Sequence, residues 1–113
     1  MVEPSPKLTV QTLKVLSSLT SDLDHEWYGL ELSKRSGLKP GTIYPILDRL
    51  LKAGWVERRW EEIDPAVEGR PRRRLYRLTR IGVPAAKAAL EDHLSSLAQP
   101  RPPLIPERKL GLA

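Results

Sequence analysis

The chain has 113 residues, 19 Lys/Arg against 14 Asp/Glu for a formal charge of +5, 40% apolar residues, no Phe and no Cys. That length suits one domain with a small core built mainly of leucine, and the missing Cys excludes a disulfide scaffold and thiol chemistry. No apolar run approaches the roughly 20 residues of a membrane-spanning helix, and the opening MVEPSPKLTV lacks the layout of a secretory signal, so the expectation is a cytoplasmic protein without membrane contact. Charge is unevenly spread. Lys34 to Arg80 hold 13 Lys/Arg and 6 Asp/Glu, so all the positive excess lies mid-chain. This is the footprint of a polyanion partner, or more plainly of a solvated arginine-rich surface.

Residues 1–7 contain two prolines and are expected to be flexible. In LTVQTLKVLSSL, Val10, Leu13, Leu16 and Leu19 recur at helical spacing behind Thr9 as a cap. TSDLDHE reads as a turn. EWYGLELSKRSG reads as a short helix opened by Asp24 and Glu26, closed by Gly37, and turning Tyr28, Leu32 and Leu30 inward. Pro40 suits the first position of the next helix, residues 40–53. Pro45 then falls in the second turn, where only the Gly41 carbonyl loses its donor. Ile43, Leu47 and Leu50 share the core face of this helix, and Lys39, Thr42, Tyr44, Pro45, Asp48, Arg49 and Lys52 lie on the others.

WVERRWEEI and RRRLYRLT read as two strands, with Leu75 and Leu78 bracketing Tyr76, joined through DPAVEGRP into a hairpin with an arginine-loaded tip. Thr79 caps a last helix whose stripe is Val83, Ala86, Leu90, Leu94 and Leu97. The end, QPRPPLIPERKLGLA, is Pro-rich and expected to be extended or disordered. The expected organisation is a flexible segment 1–7, a domain at 8–79, a C-terminal helix at 80–98 and a Pro-rich tail at 99–113. Helix, helix, helix, hairpin, helix describes a mainly α fold with a small β-hairpin, a winged helix-turn-helix.

Catalytic chemistry is thinly represented. His25 and His93 are the only histidines, and neither has a partner at metal-ligand spacing. Glu61, Glu62 and Asp64 sit at a strand end and loop, where carboxylates are not held for acid–base work. No phosphate loop is present, and no cofactor is expected. A duplex-binding surface is better represented. Lys39, Thr42, Tyr44, Pro45 and Arg49 would face a major groove, where base edges are distinguishable. Wing residues 61–74 carry Arg70, Arg72, Arg73 and Arg74 toward the minor groove or phosphates. Tyr44 has a second reading, as a half-buried ring sealing its helix onto Trp55. Trp27, Trp55 and Trp60 are assigned to packing.

GLKPGTIYPILDRLLKAGWVE followed by GRPRRRLYRLTRIG resembles the PadR family of bacterial transcriptional regulators, with WYGLELSKRSG similar to the family's preceding helix. The resemblance spans Leu8 to Leu97. It implies a winged-helix homodimer that represses transcription, with a C-terminal dimerisation helix packing on the partner's equivalent and first helices, and so Leu13, Leu90, Leu94 and Leu97 as dimer contacts. It also implies Thr42, Tyr44, Pro45 and Arg72 at double-stranded DNA, and in some members a small aromatic effector in or near the dimer interface. The alternative from a different class is a winged-helix protein-interaction module using the same face or the Pro-rich tail.

Overall fold

A computed structural model describes residues 6–98; the expectations for residues 1–5 and for the Pro-rich tail lie outside the described residues. Along the chain run helix α1 (Val10–Thr20), strand β1 (Trp27–Tyr28), helices α2 (Gly29–Ser36) and α3 (Pro40–Lys52), strand β2 (Val56–Trp60), helix α4 (Pro65–Glu68), strand β3 (Arg74–Leu78) and helix α5 (Gly82–Ala98). The fold is a winged helix-turn-helix.

Thr9 caps α1 as its hydroxyl accepts the Thr12 N–H at 3.2 Å. The buried stripe is Thr12, Leu13, Val15, Leu16 and Leu19, whereas Val10 is 59% exposed. Val10 opens the first turn, on a face that none of the described residues covers. The expected helix from Glu26 is shorter than its pattern suggested. Tyr28 has an extended backbone, φ −101° and ψ 161°. Trp27 and Tyr28 pair antiparallel with Tyr76 and Leu75. Aromatic residues favour such a half-buried pleated setting. Beginning α2 at Gly29 turns Leu30 to solvent while Leu32 is fully buried and Tyr28 half-buried. Gly37 closes α2 at φ 78°, a left-handed conformation that suits glycine.

The α3 helix starts where Pro40 indicates, with Lys39 as an extended cap residue, and runs unbroken through Pro45. Ile43, Ile46, Leu47 and Leu50 are buried to 2% exposure or less. Each such side chain is worth about 1.5–3 kcal/mol of burial, so this face locks the helix in rotation. Pro45 and Gly41 lie on the opposite, exposed side, where water can reach the Gly41 carbonyl that lacks a donor.

The sheet has three antiparallel strands in the order β1-β3-β2, one more than the expected hairpin. Val56 and Leu78 are partners facing the core, and Arg58 pairs with Tyr76. Tyr76 and Leu78 are buried while Leu75 is half-buried on the opposite face, so Tyr76 is the core residue of β3 rather than a ring bracketed by leucines. On the outer face, Glu57 and Arg77 are cross-strand partners joined at 2.8 Å. Arg59 grips Glu26 with two bonds of 2.7 Å. That second pair ties β2 to the turn before β1.

Thr79 anchors α5. Its backbone N–H donates to Trp55 O at 2.9 Å, its hydroxyl donates to Gly54 O at 2.6 Å, and its oxygen accepts the Gly82 N–H at 3.0 Å. The first half of α5 packs on the core through Ala86, with Val83, Ala89 and Leu90 beside it. Its second half leaves Leu94 and Leu97 65% and 52% exposed. Leu13 is 8% exposed and belongs to this chain's own core. Among the described residues no helix is long and apolar enough to cross a membrane.

Candidate nucleic-acid interface

The burial of α3 decides which of its side chains are available. Lys39, Tyr44, Pro45, Asp48, Arg49 and Lys52 are exposed, and Thr42 is half-buried at the rim. Asp48 and Lys52 pair one turn apart at 3.1 Å, which cancels the acidic charge on this face. Among the described residues Arg49 makes no ion pair, so its guanidinium is free to meet an external acceptor. Geometrically such a group can bond guanine or a phosphate with two parallel N–H donors.

Tyr44 does not seal α3 onto Trp55. Its ring lies across Gly29, the first residue of α2, so closely that a Cβ built there would overlap the hydroxyl. Tyr44 and Gly29 both line a cleft with Tyr28, Leu30, Trp60, Arg72, Arg73 and Arg74. The α3 residue Tyr44 and three of the wing arginines therefore meet in one place.

The wing differs from the expected arginine-loaded tip. Its tip is the one-turn helix α4, where the Asp64 carboxylate accepts the Ala66 N–H at 3.0 Å, Pro65 takes the first position and Gly69 the closing left-handed one. Val67 and Glu68 are exposed there. Residues 64–69 thus form an apolar and acidic end, and the arginines lie on the returning arm. Each has a definite partner. Arg70 bonds Glu61 through both terminal nitrogens, at 2.6 and 3.1 Å, and Glu61 also accepts the Arg73 N–H at 3.2 Å. Arg70 is therefore neutralised and half-buried, closing the neck of the loop. Its guanidinium, hydrogen-bonded to Glu61, holds that carboxyl below the usual carboxylate range. Arg72 donates from Nε to Ile63 O at 3.0 Å and is exposed. Arg73 stacks 4.1 Å above the Tyr28 ring, and Arg74 stacks 4.6 Å from Trp60, its cross-strand partner. Cation–π contact orients a guanidinium without neutralising it.

Trp60 is 55% exposed and belongs to this cleft rather than to the core; Trp27 is 7% exposed and Trp55 is half-buried against the core. Reading the chain alone missed two contributors, Glu61 as the tie of the wing neck and Gly29 as the seat of Tyr44. The spacing of Glu61 from Arg70 across a turn-rich loop was a usable signal; Gly29 offered none beyond its neighbour Tyr28. His25 bonds Glu31 at 2.8 Å in the turn before α2. No cluster of three or more potential metal ligands occurs among the described residues.

Residues 15–88 match the model of the transcriptional regulator PadR-like family. Among solved structures the chain is similar to a PadR family transcription regulator from hypervirulent Clostridium difficile R20291, at 25% identity and TM-score 0.56, over 78% of this chain and 86% of that one. A disulfide-formed structure of AbfR is 26% identical at TM-score 0.64, and overoxidized AbfR bound to DNA is 24% identical at TM-score 0.63; each match covers 81% of this chain and 62% of AbfR. A mutant of Lactococcus lactis ZitR shares the fold at 19% identity and TM-score 0.61, over 87% of this chain and 61% of ZitR. The chain thus spans less than two thirds of ZitR and of AbfR. No protein of curated function matches it. The matched family consists of regulators rather than enzymes, and its model covers α2, α3, the whole wing and the start of α5. The chain belongs to the PadR-like family of transcriptional regulators.

Proposed function

We propose that this DNA-binding regulator is a cytoplasmic repressor that acts as a homodimer, with α3 in the major groove and the returning arm of the wing on the minor groove or its phosphates. The observation that carries the reading is the shared cleft, in which Tyr44 of α3 and Arg72, Arg73 and Arg74 of the wing lie together. In this reading Arg49 and Thr42 address base edges, and Lys39, Tyr44 and Pro45 pack on the groove wall. Arg72 and Arg74 hold the backbone. Arg70 supports them from the neck, since Glu61 already takes its charge.

The proposed dimer contact is the second half of α5. Leu94 and Leu97 are exposed one turn apart, and Leu90 at the edge of the core continues their line. A helix of 17 residues is about 25 Å long, enough for a short arm beyond the core. Leu13 contributes indirectly, by packing beneath α5. A small aromatic effector would act in or near that interface.

The test is selection of bound sequences from random duplexes, with molar mass measured in solution. A two-fold repeat whose half-sites lie about one helical turn apart, roughly 34 Å, and twice the chain mass are expected. Selection of no duplex would refute DNA recognition, and a monomer bound to a non-repeated site would refute the dimer.

A further inference from the structure

The contact between Gly29 and Tyr44 asks why a glycine opens α2. The backbone does not require one, because Gly29 is not among the glycines with positive φ. The requirement is steric. A Cβ at position 29 would lie 2.5 Å from Tyr44 Cζ and 2.7 Å from Cε1, and would overlap the hydroxyl. The helices cannot separate to relieve this, because Leu32 of α2 and Ile43 and Leu47 of α3 are fully buried in one core. The ring itself must move. It is 48% exposed, and together with Gly29 it borders the cleft shared with Arg72, Arg73 and Arg74.

We propose that Gly29 is a positioning residue for the DNA interface: having no side chain, it lets Tyr44 lie back on the start of α2 and keeps the cleft between α3 and the wing open for a backbone phosphate of the duplex. This rests on the DNA-binding reading above. The cleft suits a phosphodiester, since exposed guanidinium groups and a phenol hydroxyl border it and no carboxylate lines it. A side chain at position 29 displaces the Tyr44 ring within the cleft that both residues border, so the loss is one of room and not of charge.

The experiment is a double-mutant cycle of Gly29→Ala and Tyr44→Ala on a selected duplex at fixed salt. Alanine is the better helix former, so Gly29→Ala has no intrinsic reason to unfold α2. Gly29→Ala is expected to weaken binding about tenfold in the otherwise native chain. In the Tyr44→Ala background the same change is expected to have no effect, because no ring remains to be displaced. An equal loss in both backgrounds, or no loss in the native one, overturns the inference. Proton NMR of the free protein supplies a reading independent of DNA. A cross-peak between the Gly29 α-protons and the Tyr44 ring is expected, and its absence overturns the contact itself. If the native chain binds no selected duplex, the DNA reading falls and takes the inference with it. If the native chain binds and Gly29→Ala binds equally well, only the inference falls.

Discussion

Gly82→Ala is the substitution whose cost the structure defines most closely. A Cβ at Gly82 would overlap the Trp55 carbonyl oxygen and lie 2.7 Å and 2.9 Å from the Trp55 carbonyl carbon and Cα. These are backbone atoms, and they are held on several sides. Trp55 N–H donates to Leu50 O at 2.9 Å, Trp55 O accepts the Thr79 N–H at 2.9 Å, and the Thr79 hydroxyl is bound to Gly54 O. Relief therefore needs α5 to shift as a unit off Trp55, breaking the Gly82–Thr79 bond that starts it. Overpacking of this kind costs about 1–3 kcal/mol. Replacing glycine inside a helix returns at most about 1 kcal/mol, and less in a first turn. At the middle of these ranges the net loss is about 1.5 kcal/mol, which lowers Tm by about 6–12 °C in a domain of this size. Thermal unfolding followed by circular dichroism measures it, with Gly41→Ala as the control. Gly41 is also helical, but nothing lies within 4 Å of a Cβ there, so its Tm is expected to hold or rise. Equal Tm values for Gly82→Ala and the native chain would refute the reasoning.

Three further expectations follow from the wing and α5. Glu61→Gln removes a negative charge beside the proposed phosphate contacts, so charge alone predicts tighter duplex binding. Because Glu61 holds Arg70 and the Arg73 N–H, weaker binding in a gel-shift titration is expected instead, and tighter binding would refute its role at the neck. The hydrogen bond and charge of Arg59 lower the Glu26 carboxyl, and those of Arg70 lower Glu61, from the ordinary value of 4.5. Groups with depressed native values stabilise fully above that value and lose the contribution as pH falls through the native one. Tm is therefore expected to be insensitive to these groups from neutral pH down to about 4.5 and to fall below it. Glu26→Gln should flatten that acid limb, and an unchanged limb would contradict the Arg59 pairing. Leu94→Ser with Leu97→Ser touches only exposed positions, so Tm should move little. Sedimentation equilibrium should then find a monomer, whereas the native chain is expected to be a dimer; a persistent dimer would exclude this face of α5.

The parts of the fold that could be read from the chain are those encoded locally. Helical spacing located α1, α3 and α5, Pro40 marked the start of α3 and Gly37 the end of α2, and alternation located β2 and β3. Strand β1 escaped because its pairing with Tyr76 and Leu75 is remote in sequence and only two residues long, too short for any periodic pattern. Helix α4 had a readable cap, Asp64 before Pro65 with Gly69 after, but its single turn looks like any loop. Its presence moves the arginines from the tip to the returning arm. Exposure on α3 followed directly from where Ile43, Leu47 and Leu50 had to go. The partners of the wing arginines did not, because Glu61, Tyr28 and Trp60 become their neighbours only once three separate strands assemble.

The proposed two-element grip on DNA is tested most directly by titrating Arg49→Ala and Arg72→Ala against the selected duplex and against variants of it, over a range of salt. Each substitution is expected to cost about 1–3 kcal/mol of specific binding. Arg49→Ala should also relax discrimination at one base pair, whereas Arg72→Ala should weaken all sequences alike and reduce the salt slope by about one. Unchanged affinity and slope in both variants would contradict the joint action of α3 and the wing.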